Sequence, residues 1–193
     1  TLARGDAPAA ANLLGRATAL VSPADPLRPG LLVSLAAARR GQGDVGAAAS
    51  TLDEILHDPI ARDDPRSYAD ALLERGWLRL SVDPAGWATD ALSAAEEAAA
   101  VFQQLGDDRG LSRAYQLMTE VHFSQGQLSK CREDTQLALQ YAGRGGDLEV
   151  ETDARKYLGG PIIYGDGTVE EIFRFGEDNL RWVCLLYTSP SPR

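Results

Sequence analysis

Apolar side chains recur along most of the chain at spacings of three and four residues, the period of one face of an α-helix. The pattern is clearest between Leu111 and Ala142, where Gly126 separates two such stretches. It predicts two amphipathic helices joined by a tight turn at that glycine. The inward positions of the two helices are Tyr115, Met118, Thr119, His122, Cys131, Thr135 and Ala138.

The same arrangement occurs 83 positions earlier in the chain. Gly43 takes the place of Gly126 there, and Ile55 takes the place of Ala138. The offset fits two units of about 40 residues each, with a third unit, Asp64 to Leu105, between the two matched ones. The chain therefore predicts an internal repeat of helix pairs. The inward positions of the earlier copy are Leu32, Leu35, Ala36, Arg39, Ala48 and Leu52.

These positions resemble the tetratricopeptide repeat (TPR) pattern W-x2-L-G-x2-Y…A-x3-F. The resemblance covers about residues 28 to 142 and extends more loosely to 183. It implies an all-α fold, a TPR-like α-solenoid of antiparallel helix pairs with about nine helices, whose core lies between neighbouring pairs. Two features depart from the pattern: Thr119 replaces the usual small residue at the tightest helix crossing, and no proline follows Ala138.

Cap and breaker residues predict where the helices begin and end. Helix starts are expected at Asp6, Asp25, Asp64, Asp107 and the Thr168-x-x-Glu171 capping box, with breaks at Pro59 and Pro84 and a C-terminal cap at Gly106. The first helix is expected to turn Leu13 and Leu20 inward. A short helix is expected from Leu148 to Leu158, followed by a loop that folds back onto the stack.

The composition excludes several classes of partner. The net charge of −9 argues against a nucleic-acid or anionic-membrane surface, because both need clustered basic residues. No apolar stretch approaches the length of a membrane span, and two cysteines are too few for a disulfide framework. We expect a cytoplasmic chain that binds a protein, a peptide or other domains of its own parent. Since it starts at Thr1, a longer parent is expected.

The last ten residues, CLLYTSPSPR, differ from the rest in composition. The string resembles one translated frame of a transposase adaptor used to prepare DNA for sequencing. The resemblance implies that residues 1–183 form the native TPR-like repeat domain and that Cys184 to Arg193 are a non-native, disordered tail. The alternative is a native disordered tail rich in serine and proline.

A GxGxxG string runs from Gly41 to Gly46, with Asp63 and Asp64 about twenty residues further on. A dinucleotide site needs a strand before this motif, so that the pyrophosphate meets the start of the following helix. A helix is predicted before Gly41 instead. The glycines are therefore interpreted as the turn between two helices, and no cofactor site is expected.

The remaining candidates for chemistry have simpler structural explanations. His57, Asp58, Asp63 and Asp64 flank a loop without further metal ligands at a suitable spacing, which indicates a solvated acidic corner. His122 and Cys131 are expected to be packed residues, because each occupies an inward position. No catalytic, cofactor-binding or metal-binding residue is expected in this chain.

A narrower resemblance concerns the segments RGDAPAAANLLGRATAL, GDDRGLSRAYQLMTEVHFSQGQ and GDGTVEEIFRFGEDNL. They resemble the C-terminal repeat arm of bacterial signalling proteins that join a cyclase or transcription-factor module to an AAA-type ATPase. The resemblance implies a non-catalytic scaffold, the sensor arm of such a parent. The alternative is an effector-binding TPR domain of a transcriptional regulator, with Tyr115 and Trp77 as stacking surfaces for a small molecule.

Overall fold

The computed structural model describes residues 6–58, 63–82, 86–165 and 167–188. These residues form nine α-helices and no strand, which confirms the all-α, TPR-like prediction. The helices are α1 (Ala7–Leu20), α2 (Arg28–Gly41), α3 (Val45–His57), α4 (Pro65–Val82), α5 (Trp87–Leu105), α6 (Asp108–Ser124), α7 (Leu128–Gly145), α8 (Leu148–Tyr164) and α9 (Val169–Thr188).

Consecutive helices pack as hairpins: α2 with α3, α4 with α5, α6 with α7, and α8 with α9. The first helices of successive hairpins also contact one another, α2 with α4, α4 with α6, and α6 with α8. These four helices form one continuous layer, called here the inner layer. Helices α3, α5 and α7 lie against it from one side, and α1 packs on α2.

Aspartates begin several of these helices, and glycines turn the chain between them. The side chains of Asp6, Asp44, Asp107 and Asp147 each accept a hydrogen bond from a backbone N–H in the first helical turn. Gly43 and Gly126 adopt positive φ angles of 83° and 68°, a region that suits glycine because it has no Cβ. The two predicted turns are therefore confirmed as equivalent.

The main core runs through α2 to α6, and a smaller cluster of short side chains joins α7 to α8. The largest completely enclosed side chains of the main core are Phe102, Leu52, Ile55, Leu72 and Leu117. Alanines fill half of the remaining buried positions of the main core, so the helices approach closely. The core is a ribbon that follows the stack, as expected for a solenoid.

Two expectations near the start of the chain were wrong. Leu13 and Leu20 are 54% and 86% exposed, whereas Ala10 and Thr18 are buried. Because α2 is the main neighbour of α1, only a narrow stripe of small residues is covered. Asp25 does not cap α2 directly: its carboxylate accepts from the Leu27 N–H, and the helix begins at Arg28.

The predicted loop after Leu158 is helical, because α8 continues to Tyr164 through Pro161. The glycines that suggested a loop instead allow close packing. A Cβ on Gly160 would lie 2.9 Å from the Phe123 ring, and one on Gly159 would lie 3.3 Å from the Phe175 ring. Burial of Pro161 against the stack stabilises this turn although proline donates no backbone hydrogen bond.

The predicted capping box at the start of α9 is confirmed. The Glu171 N–H donates to the Thr168 hydroxyl at 3.2 Å, and the Thr168 N–H donates to the Glu171 carboxylate at 3.0 Å. Helix α9 then continues to Thr188, so residues 184–188 are helical where disorder was expected. No proline occurs in the sequence between Thr168 and Pro190 to end the helix earlier. Residues 189–193, Pro59 and Pro84 lie outside the described residues, and the origin of the tail remains a prediction.

Candidate functional site

Polar side chains connect the helices of the inner layer to one another. Between α2 and α4, the Arg40 Nε lies 2.9 Å from a Glu74 carboxylate oxygen. Between α4 and α6, the Arg113 guanidinium lies 2.5 Å from the Asp70 carboxylate. All four side chains are partly exposed, so this row of contacts borders a solvent-facing surface.

The row continues between α6 and α8. The Gln116 amide donates to the Asp153 carboxylate at 3.3 Å, and the Tyr157 hydroxyl donates to the Glu120 carboxylate. Burial and the nearby Glu120 charge raise the pKa of Tyr157, so the phenol stays protonated and remains a donor. Every step along the inner layer is therefore fixed by at least one polar contact.

Of the thirteen inward positions taken from the repeat pattern, eleven are buried, and Arg39 and Tyr115 are only partly buried. Tyr115 is half-buried and stacks on Tyr141 with ring centroids 5.6 Å apart. The buried positions are Leu32, Leu35, Ala36, Ala48, Leu52, Met118, Thr119, His122, Cys131, Thr135 and Ala138.

Hydroxyl groups occupy the crossing of α6 and α7, where the repeat pattern has a small residue. The Thr135 hydroxyl donates to the Cys131 carbonyl oxygen at 2.6 Å and lies 3.4 Å from the Thr119 hydroxyl. Burial raises the pKa of the adjacent Cys131 thiol, although its contact with Thr135 partly opposes this. A buried thiol with a raised pKa is a poor nucleophile, which agrees with a packing role for Cys131.

A basic side chain near the end of α2, α4 and α6 contacts the partner helix of its own hairpin. His122 Nδ1 lies 2.6 Å from Asp134, and the Arg79 guanidinium lies 2.7 Å from Asp90. In the first hairpin, Arg39 donates to the Thr51 hydroxyl at 2.5 Å. Arg39 and His122 occupy matching positions of the repeat, but the residues they contact were not predicted. This recurring contact is here called the hairpin clamp.

The 83-residue offset could have revealed the clamp. It superimposes Arg39 on His122 and Thr51 on Asp134. Burial raises the pKa of the Asp134 carboxyl, while its hydrogen bond to His122 acts in the opposite direction. In the third hairpin the clamp is therefore a buried contact with a carboxyl group whose pKa depends on its surroundings. In the first hairpin the basic side chain contacts the uncharged hydroxyl of Thr51 instead.

A second recurring contact joins neighbouring units. Asp107 caps α6 with one carboxylate oxygen, and its other oxygen lies 2.6 Å from the Arg66 guanidinium of α4. Asp147 caps α8 in the same way and accepts from the Arg109 Nε of α6 at 3.1 Å. Each of these aspartates thus caps its own helix and also contacts an arginine of the preceding unit.

Two cavities lie between helices of the inner layer and the helices packed against them. One, of about 550 Å³, lies between α3, α4 and α5; the other, of about 410 Å³, lies between α1, α2 and α3. Neither of these two cavities is lined by Tyr115 or Trp77, the residues expected to stack on a small molecule. Trp77 is half-buried and packs against the main core instead.

The other candidate residues from the sequence lie in helix ends, caps and turns. Gly41 ends α2 and Asp44 caps α3, so a helix precedes the GxGxxG string, as expected. His57 Nδ1 lies 2.8 Å from the Asp53 carbonyl oxygen, and Asp64 caps α4. Within the described ranges, no group of three or more His, Cys, Asp and Glu side chains is arranged to hold a metal ion. None of the described helices is long and apolar enough to cross a membrane.

The fold is similar to that of solved repeat proteins. The crystal structure of nearly identical TPR-like repeats from a Podosopora anserina kinesin light chain candidate aligns with a TM-score of 0.61 at 16% identity. The alignment covers 97% of this chain and 91% of that one. A single-residue variant of that protein gives a TM-score of 0.62 at 15% identity and covers 95% and 89%.

No protein-family model and no curated protein matches the sequence. At this level of identity the structural likeness establishes the fold alone. The chain is thus a TPR-like helical-repeat protein in architecture.

Proposed function

We propose that this chain is a protein-interaction scaffold whose binding surface is the exposed face of the inner layer. The observation that carries the proposal is the continuous contact of α2, α4, α6 and α8. Solenoids use such extended surfaces to bind peptides or neighbouring domains. The proposed role is non-catalytic.

The chemistry of the surface favours a basic segment as the partner. The row across the inner layer contains the carboxylates of Glu74, Asp70, Glu120 and Asp153 but only three cationic groups: the guanidinium groups of Arg40 and Arg113, and the Lys156 ammonium, 2.6 Å from Asp153. Glu120 is bonded to a neutral phenol, so its charge is not compensated within the pair. A peptide with spaced lysine or arginine side chains would complement this excess of negative charge.

Peptide display tests the proposal. The wild-type chain would be used to select binders, and the selected peptides would then be titrated against Asp153→Arg, a charge reversal on the inner layer. The matched control is Glu133→Arg, an equal change at an exposed position of α7. We expect basic peptides that lose at least tenfold affinity for the first variant only. Peptides that tolerate both variants equally would exclude the inner layer as the binding surface.

A more specific role rests on the resemblance of the three quoted segments. We propose that the chain is the cytoplasmic sensor arm of a larger bacterial signalling ATPase or cyclase; the alternative is the effector-binding domain of a transcriptional regulator. The coding sequence upstream of Thr1 tests this choice. An ATPase module with a phosphate loop GxxxxGK[ST] supports the sensor arm, whereas a DNA-binding module directly before the repeats supports the alternative.

A further inference from the structure

The hairpin clamp differs between units in a way that points to a ligand. In the second and third hairpins the basic side chain contacts a carboxylate, Asp90 for Arg79 and Asp134 for His122. In the first hairpin the equivalent position is Thr51. Arg39 donates there to the Thr51 hydroxyl and to the Ala47 carbonyl oxygen, at 2.5 and 3.3 Å, and both acceptors are uncharged.

The guanidinium of Arg39 therefore lacks the negative charge that the other two clamps supply. Arginine has five N–H donors and stays protonated, so two neutral acceptors leave both its charge and several donors available. Partial burial makes an uncompensated charge costly.

The same guanidinium lines the 410 Å³ cavity between α1, α2 and α3. A second arginine, Arg28, also lines it and is held by the Thr18 carbonyl oxygen at 2.9 Å and the Glu54 carboxylate at 2.7 Å. Two guanidinium groups thus face one carboxylate. The side chains that line the cavity therefore carry a net positive charge, although the net charge of the chain is −9.

The corresponding cavity one unit further along is lined by more carboxylates than guanidinium groups. It is lined by Arg75 and Arg79 together with three carboxylates, those of Asp53, Asp90 and Glu97. The net positive charge is therefore particular to the first hairpin, where the clamp has no carboxylate.

We propose that the cavity between α1, α2 and α3 binds a small organic carboxylate. The ligand carboxylate takes the place of the missing clamp aspartate and accepts from Arg39, with Arg28 beside it. Apolar side chains of the same cavity accommodate the rest of the ligand: Ala19, Val21, Leu32 and Leu35. The cavity uses Arg39 of α2, whereas the row of polar contacts across the inner layer uses Arg40, so the site can be present whether or not that row binds a peptide.

Hexanoate is a suitable probe, with hexanol as its neutral counterpart and inorganic phosphate as an anion without an apolar part. Titration into the isotopically labelled chain, followed by amide shifts, is expected to show saturable binding of hexanoate around Thr51 and Leu35. Hexanol and phosphate should bind at least tenfold more weakly. Equal binding of hexanol, tighter binding of phosphate, or no saturable binding of hexanoate would overturn the proposal.

Two pairs of variants locate the site. Arg39→Gln should weaken hexanoate binding at least tenfold, whereas Arg40→Gln, whose guanidinium pairs with Glu74, should not. Thr51→Asp supplies the carboxylate internally, so it should raise the melting temperature and abolish binding. Ser50→Asp adds the same charge at an exposed position and should do neither. Unchanged affinity in Thr51→Asp would contradict the proposal even if Arg39→Gln failed to fold.

Discussion

His122 and Asp134 form the most enclosed contact between a basic and an acidic side chain in the described structure, with side chains 9% and 14% exposed and 2.6 Å between Nδ1 and the carboxylate. The equivalent pair Arg79 and Asp90 is 49% and 59% exposed at almost the same distance. The same contact thus occurs in two dielectric environments within one chain. Burial should decide how much each pair contributes to stability.

Truncation of the two acids tests this difference. Asp134→Ala leaves a buried imidazole without its acceptor and should lower the free energy of unfolding by about 1–3 kcal/mol. Asp90→Ala removes an exposed pair and should cost less than about 1 kcal/mol. Urea denaturation at neutral pH measures both. Similar losses in the two variants would show that burial does not set the strength of the clamp.

Two acid–arginine pairs should respond to pH with opposite sign. Burial raises the pKa of Asp70 above its ordinary 3.8 despite the contact with Arg113, whereas the hydrogen bond from Arg144 lowers the pKa of the exposed Asp108 below 3.8. The contribution of Asp70 to stability is therefore lost as pH rises above 3.8. The contribution of Asp108 is present above 3.8 and is lost as pH falls below it.

The matching variants are Asp70→Asn and Asp108→Asn, compared with wild type by urea denaturation from acid to neutral pH. The stability of Asp70→Asn relative to wild type should rise as pH increases above 3.8. The stability of Asp108→Asn relative to wild type should fall as pH increases toward 3.8 and should then stay constant. Slopes of the same sign would contradict the assigned causes of the two pKa shifts.

Gly110 should not tolerate a methyl group. A Cβ there would lie 2.2 Å from the ring of Phe102, a side chain with no solvent exposure. Gly110→Ala should destabilise the chain by about 1–3 kcal/mol through overpacking. Gly143→Ala, on α7 with no neighbour within 4 Å, is the control and should stabilise by up to about 1 kcal/mol through helix propensity. Thermal unfolding followed by circular dichroism distinguishes the two; stabilisation by both would refute the close approach.

Replacing a buried side chain by alanine should lower the free energy of unfolding most in the middle of the stack. Met118 is buried in α6 between its neighbours, and Met118→Ala should cost about 2–5 kcal/mol. Leu13→Ala, at an exposed position of α1, should cost less than about 1 kcal/mol. Hydrogen exchange should show the strongest amide protection between Ala69 and Ala138. Uniform protection from α1 to α9 would indicate a closed bundle with a single cooperative unit.

Deletion of Cys184 to Arg193 should leave the melting temperature nearly unchanged. Helix α9 includes the first five of these residues, but the Cys184 side chain is exposed, and an adaptor-derived segment has no selected packing. The deleted chain and the full chain would be compared by thermal and urea unfolding. A loss greater than about 1 kcal/mol would indicate that the segment is native structure.

Much of the fold could be predicted because helices carry local signals. Each of these signals lies within a few residues of the feature it determines. They are the period of apolar positions, the aspartate caps and the turn glycines. Gly159 and Gly160 were wrongly predicted to form a loop, because their role depends on Phe175 and Phe123, which lie elsewhere in the sequence. Leu13 was misplaced for a related reason: an apolar stripe is buried only where a neighbouring helix covers it.

The candidate site depended more strongly on tertiary contacts. Asp134 and Thr51 are ordinary polar residues in the sequence, and only the hairpin geometry shows that each opposes a cation. The cavity beside Arg39 arises from three helices together, and no local pattern describes it. The repeat offset was the single sequence signal that connected these residues, since it aligns Thr51 with Asp134.

The capping aspartates have a consequence for how order spreads along the chain. One oxygen of Asp107 starts α6 locally, while the other is held by Arg66, which belongs to the preceding unit. Asp147 and Arg109 repeat the arrangement one unit later. The starts of α6 and α8 are thus coupled to the units before them, so order in one unit favours order in the next. Replacing Arg66 or Arg109 would weaken that coupling while each local cap remained.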